Sequence, residues 1–217
     1  MTWLLLALLL ACVIAYATWR LFLGYPRPPR SYSLLAAREV AFIDSAAAAV
    51  FPPGGGIPIS GADAELPSYV DSYLGSLPAH LRRQVRAMLM LFEQATFFFP
   101  APGPKGRRRF SGLSPEQRMA VLTGWSESRV FLRRLAFTAL RAVLTMGYLG
   151  HPRAMRAVNL APYQLPTPIC EADLLYPRIG AHPDSLQLTR ADLTPPSDGT
   201  PLCLDGPLHP DYAESPL

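Results

Sequence analysis

The first 25 residues constrain the whole chain, because they form a long apolar segment almost without charge. Residues 2–19 contain no Asp, Glu, Lys or Arg. A helix needs about 20 apolar residues to cross the hydrocarbon core of a bilayer, and the aromatic residues near both ends of the segment suit the headgroup level. Residues 1–25 are therefore predicted to be a transmembrane anchor, with Arg20 extending outward to the membrane surface.

A cleaved secretory signal is the alternative interpretation of this segment. Such a signal has basic residues before a shorter apolar core, whereas here the arginines at 20, 27, 30 and 38 all follow the core. We therefore expect an uncleaved, single-pass membrane protein. The same charge asymmetry predicts that the N-terminus lies outside and the following domain in the cytoplasm, with a periplasmic domain as the alternative. Cys170 and Cys203 would stay reduced in the cytoplasm and could pair if exported.

The rest of the chain divides by composition into three segments. Residues 26–32 are a Pro-rich spacer, residues 33–159 a helical domain, and residues 160–217 an acidic tail with eleven prolines that we expect to be largely irregular. Residues 169–176 are apolar enough to dock on the helical domain. The predicted fold class is all-α: a single N-terminal transmembrane helix, a compact bundle of about five helices and an extended Pro-rich tail.

Local signals predict the bounds of the five bundle helices. Ser114, followed by Pro115 and by Gln117 at the third helical position, has the pattern of a capping box. The other predicted helices cover residues 33–50, 63–74, 78–99 and 128–149. In the last of these we expect the apolar side chains to face inward and the arginines outward, the inward set being Phe131, Leu135, Leu140, Val143 and Leu144.

The sequence contains no recognisable arrangement of catalytic or metal-binding residues. The four histidines are at positions 80, 151, 182 and 209, and none has a ligand at helical spacing. The three cysteines form no Cys-x-x-Cys pattern, and the glycines at 54–56 lack the Lys of a phosphate-binding loop. Asp71, Glu116 and Glu127 are not paired with a nucleophile or a second acid and are expected to be ordinary surface or helix-end charges. We predict no catalytic, cofactor-binding or metal-binding residues, and therefore a chain that is not an enzyme.

Two groups of residues are candidates for binding surfaces. Aromatic side chains and arginines are enriched at protein–protein hot spots, which makes one group a candidate for partner binding: Trp125, Arg129, Phe131, Arg133 and Arg134. A core position for Trp125 and Phe131 is an equally good interpretation. The second group, Arg107, Arg108 and Arg109, is a candidate for contact with anionic headgroups, or else an ordinary solvated loop. Nucleic acid is not an expected partner, because no aromatic residues alternate with these arginines.

The order of short motifs between residues 34 and 159 resembles the gluconate 2-dehydrogenase subunit 3 family. The motifs are a helix ending in Phe51-Pro52, the segment PSYVDSYL at 67–74, the helix start SPEQR at 114–118, and WSESR at 125–129 followed by a helix that ends in MGYLGHP. The resemblance implies a non-catalytic helical subunit that binds a large flavoprotein of the glucose-methanol-choline type and supports its maturation, stability or membrane placement. FAD would then be bound by the partner, and this chain would carry no cofactor.

The chain departs from this family at its start, because many members begin with a twin-arginine export signal and no arginine pair precedes the apolar segment here. Two other functions stay open. One is a generic membrane-anchored helical adaptor unrelated to redox chemistry. The other is a small membrane enzyme acting on a lipid or sterol, which would need a pocket with a perturbed ionisable group.

Overall fold

The computed structural model describes residues 2–161, 168–176, 188–196 and 208, and this part of the chain is helical and contains no β-strand. The predicted all-α class is therefore confirmed. Eight α-helices are described: α1 (Thr2–Phe22), α2 (Ala37–Val50), α3 (Leu66–Ser76), α4 (Ala79–Ala95), α5 (Pro115–Ser126), α6 (Phe131–Leu149), α7 (Pro152–Ala157) and α8 (Glu171–Leu175).

Helix α1 is long and apolar enough to cross a membrane. It has 21 residues, and the window Leu5–Phe22 has a mean hydropathy of 2.0 with only 6% of its residues buried. The central helix of a globular domain would be covered by its neighbours, whereas α1 leaves its leucines and aromatic side chains exposed. Its composition and its exposed surface are both those of a segment that needs an apolar surrounding.

The start of α2 differs from the prediction, because a distant carboxylate binds the residue expected to cap it. The backbone N–H and the hydroxyl of Ser33 both donate to Asp71 Oδ2, over 3.0 and 2.7 Å, and the N–H groups of Leu34 and Leu35 donate to Oδ1. The helix therefore begins at Ala37, with the Ala36 N–H bonded to Glu39 at 2.7 Å. Asp71, expected to be an ordinary surface or helix-end charge, holds the segment between the spacer and α2. Burial raises the pKa of Asp71, but the four hydrogen bonds together outweigh this effect and lower the pKa.

A proline sets the end of α4, and the Ser114 signal is confirmed. Helix α4 ends at Ala95 and not at residue 99, since Pro100 has no N–H to donate and its ring would clash with the carbonyl four residues before it, that of Thr96. Ser114 caps α5 as predicted: its hydroxyl accepts from the Gln117 N–H, and the Gln117 side chain accepts from the Ser114 N–H.

The core lies around α2, which packs on α3, α4 and α5. Phe42 from α2 lies against Phe92 from α4 and Phe110, with ring centroids 6.0 and 5.2 Å apart. From α6, the core receives the predicted Leu140, Val143 and Leu144.

The predicted inward positions of Phe131 and Leu135 were wrong, because these side chains are 63% and 50% exposed. They lie on the side of α6 opposite the buried Leu140 and Leu144, as the 100° turn per residue requires. Arg133 occupies the inward-facing position at this end of the helix, where its guanidinium covers the ring of Trp125 at 5.0 Å.

Helices α3 and α6 approach closely at Gly147, which predicts a specific destabilisation. A Cβ at this position would lie 2.5 Å from a ring carbon of Tyr69 and 2.9 Å from Leu66. Gly147→Ala should therefore lower the free energy of unfolding by about 1 to 3 kcal/mol, the usual cost of overpacking. Chemical denaturation of the full chain in detergent, followed by circular dichroism, measures it.

Gly124 in α5 provides the matched control for that substitution. Nothing lies within 4 Å of a Cβ placed there, so Gly124→Ala should stabilise the chain by about 0.5 kcal/mol through helix propensity alone. Equal effects of the two substitutions would show that α3 and α6 do not pack as described.

Residues 159–216 form a separate unit, of which short pieces are described. Cys170 precedes α8 and its N–H donates to Asp173 at 2.9 Å, and the N–H of Thr194 donates to the carbonyl of Ile169. Cys170 is a free thiol. The expected irregular tail and the expected docking of residues 169–176 stay predictions; most of the tail, with Cys203, His182 and His209, lies outside the described residues.

Candidate functional site at the end of the anchor helix

The last turn of α1 is bonded to the bundle through Arg20. Its side chain was expected to extend outward to the membrane surface, but it is only 8% exposed. The guanidinium donates to the carbonyl of Arg107 at 2.9 Å and to the hydroxyl of Thr96 at 3.5 Å, and it lies over the ring of Phe97. The prediction for Arg20 is thus wrong. Carbonyl and hydroxyl acceptors from the loop after α4 compensate for burying this charge.

Arg109 and Tyr25 add a second set of contacts at the same junction. The Arg109 guanidinium donates to the carbonyl of Trp19 and lies over the rings of Trp19 and Tyr25, at 4.9 and 4.2 Å from their centroids. Gln94 from α4 donates to the hydroxyl of Tyr25 at 3.0 Å. The candidate headgroup-binding arginines at 107–109 therefore lie at the end of α1, and two of them contact it directly: Arg107 through its carbonyl and Arg109 through its side chain.

Glu93 is a buried carboxylate behind this junction. Its side chain is 1% exposed and accepts hydrogen bonds from both the N–H and the hydroxyl of Ser111, over 3.0 and 2.6 Å. Burial raises its pKa despite those bonds. Burial and the nearby Glu93 charge together raise the pKa of Tyr25 to about 12. Glu93 was not predicted as a site residue. Its only signal in the sequence is that it is a single acidic residue in an otherwise basic region.

The raised pKa of Glu93 predicts a pH-dependent stability. A carboxyl group that holds its proton more tightly when folded makes the fold less stable as pH rises from the unfolded value, near 4.5, through the raised folded value. Glu93→Gln removes this titration while retaining an acceptor for Ser111. Its free energy of unfolding should therefore increase relative to that of the unsubstituted chain across this window, as measured by denaturation at a series of pH values.

Glu127→Gln controls for the loss of one carboxylate, because Glu127 lies exposed at the end of α5. Parallel pH profiles for the Glu93→Gln and unsubstituted chains would contradict the assignment of Glu93 as a group destabilised by burial.

A cavity of about 740 Å³ opens between the end of α1, α2 and the loop after α4. Its lining includes the aromatic side chains of Tyr16, Trp19 and Tyr25. One acidic residue, Asp44, and five basic residues also line it; the basic set is Arg20, Lys105, Arg107, Arg108 and Arg109. Partial burial raises the pKa of Asp44. The lining of the cavity therefore combines basic and aromatic side chains.

The candidate partner-binding residues do not form one exposed group. Trp125 is in the core, 4.2 Å from the Phe92 ring and beneath Arg133, which also covers Phe99 at 4.4 Å. The other candidates are exposed: Arg129, Phe131 and Arg134, the last of which donates to the carbonyl of Ser128 at 2.6 Å.

Helix α6 has a second apolar face, which sequence reasoning did not separate from the buried one. Exposed apolar residues recur along it at spacings of three and four, and they are Phe131, Leu135, Ala139, Ala142, Met146 and Leu149. We call this set the α6 stripe. The exposed Arg134 and Arg141 flank it. The signal was present in the sequence, since i, i+3, i+4 spacings occur on both sides of this helix.

The described residues show no catalytic arrangement at the cavity or on the α6 stripe. Both oxygens of Glu93 are engaged by Ser111, and Glu93 does not line the cavity. No three His, Cys, Asp or Glu side chains within the described ranges gather as metal ligands would.

The fold and the site define the class of this protein only broadly: an all-α chain whose one described apolar helix could span a membrane and is bonded to its bundle. No protein-family model, curated protein or solved structure matches the chain.

Proposed function

We propose that this protein is a non-catalytic, membrane-anchored accessory subunit whose α6 stripe binds a larger partner protein. The observation that carries the proposal is the stripe itself. Exposed apolar side chains aligned over most of a 19-residue helix, with arginines beside them, have the composition of a binding surface.

The junction at Arg20 supports an anchoring role. Hydrogen bonds from Arg20 and Arg109 join the last turn of α1 to the loop that follows α4. Because these bonds reduce the freedom of the bundle relative to α1, a partner bound to the bundle would be held at a defined distance from the membrane. The arginines after α1 favour a cytoplasmic bundle, and a periplasmic bundle is the alternative.

The proposed partner is a flavin-dependent oxidoreductase of the glucose-methanol-choline type, with FAD bound in that partner. Its support is the resemblance of residues 34–159 to the gluconate 2-dehydrogenase subunit 3 family. The chain would support the maturation, stability or membrane placement of the flavoprotein. A generic adaptor would use the same stripe for a partner without flavin, so the absorbance spectrum of the co-purified protein separates the two functions.

Substitution of a stripe residue tests the proposal against a closely matched control. Leu135 in the stripe and Leu91 on α4 are exposed to almost the same extent, 50% and 51%. Leu135→Asp should reduce recovery of the flavoprotein about thirtyfold, corresponding to a hot spot of about 2 kcal/mol, while Leu91→Asp should leave it unchanged. The measurement is affinity purification of the tagged full chain from solubilised membranes, with flavin absorbance and protein staining.

Charge reversal beside the α6 stripe gives a second comparison. Arg129→Glu and Arg134→Glu should weaken recovery of the partner, whereas Arg83→Glu on α4 should not. Absence of any flavoprotein with the unsubstituted chain would refute the proposed partner. Equal recovery with Leu135→Asp and Leu91→Asp would refute the proposed surface.

A further inference from the structure

We propose that the cavity at the end of α1 binds the headgroup of an anionic phospholipid. The inference rests on the membrane anchoring proposed above, and it adds a defined ligand site to it. A phosphodiester would lie against the basic loop after α4, and its acyl chains would run along the side of α1 that carries Tyr16 and Trp19.

Unused donors in the cavity support a phosphate ligand. Five basic side chains against one carboxylate give the lining a strong positive charge. Within the described residues, the exposed side chains of Lys105 and Arg108 have no hydrogen bond or ion pair. By contrast, Arg20 and Arg109 are engaged at the junction. Lys105 and Arg108 can therefore donate to phosphate oxygens without breaking a contact of the fold.

The loop that carries these donors is held in shape before any ligand arrives. Gln117 donates to the carbonyls of Pro102 and Pro104, each at 3.0 Å, and Ala101 donates to the carbonyl of Gly106 at 3.0 Å. A Cβ at Gly106 would lie 2.0 Å from the Ala101 oxygen, so only glycine fits there. A preformed loop loses little conformational entropy when it binds.

The position of the cavity favours a lipid over a soluble phosphate compound. Trp19 and Tyr16 belong to the last turns of α1 and line the cavity directly, so its opening lies where the hydrocarbon core gives way to headgroups. The same loop region exposes Phe98 and Phe99, at 74% and 51%, which suits contact with the interface. A volume of about 740 Å³ lies within the range of ligand sites.

Binding of defined lipids to the full chain tests the inference. The chain is purified in neutral detergent, and native mass spectrometry measures binding of dioleoyl phosphatidylglycerol, dioleoyl phosphatidylcholine and inorganic phosphate. Phosphatidylglycerol should bind and the other two should not. Lys105→Gln/Arg108→Gln should weaken its binding about thirtyfold, the factor expected when two basic side chains lose their attraction to an anionic surface. Arg83→Gln/Arg141→Gln, which removes the same charge elsewhere, should leave it unchanged.

Each outcome decides for or against the site. Equal binding of the two lipids, or equal weakening by both double substitutions, would overturn it. Binding of inorganic phosphate as tight as that of phosphatidylglycerol would also overturn it in favour of a soluble anion, or an acidic protein segment, as the occupant. If Lys105→Gln/Arg108→Gln loses helicity, Arg108→Gln alone replaces it. The chain could also stay in membranes washed with carbonate but bind the two lipids equally. That result would refute the lipid site and would leave the proposed membrane anchoring unaffected.

Discussion

Arg86→Ala is expected to lower the free energy of unfolding by about 3 kcal/mol, the lower end of the cost of leaving a buried charge without its partner. Glu39 in α2 is 3% exposed, and it accepts from Arg86 Nε at 2.8 Å and from Nη2 at 3.0 Å. Removal of Arg86 leaves that carboxylate inside the fold, bonded only to the Ala36 N–H among its described contacts.

Denaturation of the full chain in detergent, followed by circular dichroism, measures the effect of Arg86→Ala. Arg83→Ala is its control, since Arg83 is exposed on the same helix, and surface substitutions usually change stability by about 0.5 kcal/mol or less. The result would contradict the packing of α2 on α4 if Arg86→Ala and Arg83→Ala had the same small effect.

Trp125→Ala should cost about 3 to 5 kcal/mol, as large-to-small changes at buried aromatic residues do. Trp125 is 2% exposed and lies 4.2 Å from the ring of Phe92. Its removal opens a cavity between α4 and α5 and deprives Arg133 of one of the two rings that it covers. The unfolding midpoint of the full chain and the yield of helical protein both report the loss.

Phe131→Ala shows how a residue of the α6 stripe differs from a core residue such as Trp125. Phe131 is exposed, so its truncation should leave unfolding nearly unchanged and should weaken the proposed partner binding. If Trp125→Ala kept its stability and lost only the partner, Trp125 would belong to the binding surface and the core described around Phe92 would be wrong.

Short-range patterns in the sequence predicted the helices where the deciding contacts are local. The capping box at Ser114 forms from residues three apart, and Pro115 suits the first turn of α5. The apolar segment of α1 depends only on its own composition. These features give the fold class and the order of the bundle helices.

Long-range contacts decided the features that the sequence did not reveal. The start of α2 depends on Asp71, 38 residues from Ser33. Arg20 is buried because its acceptors come from a loop 87 residues away in the chain. Helix α6 is apolar on two sides, and periodicity alone does not tell which side packs against α3 and α5. The cavity at the end of α1 combines residues from three separate parts of the chain.

Site-specific photo-crosslinking tests most directly whether the α6 stripe binds a flavoprotein. A photoreactive amino acid replaces Leu135 in the stripe or, as a control, Leu91 on α4, and the full chain is irradiated in the membranes of its own host. We predict a single large adduct from position 135 that contains a flavin-binding protein, and none from position 91. No flavoprotein adduct at position 135, or the same adducts from both positions, would contradict the account.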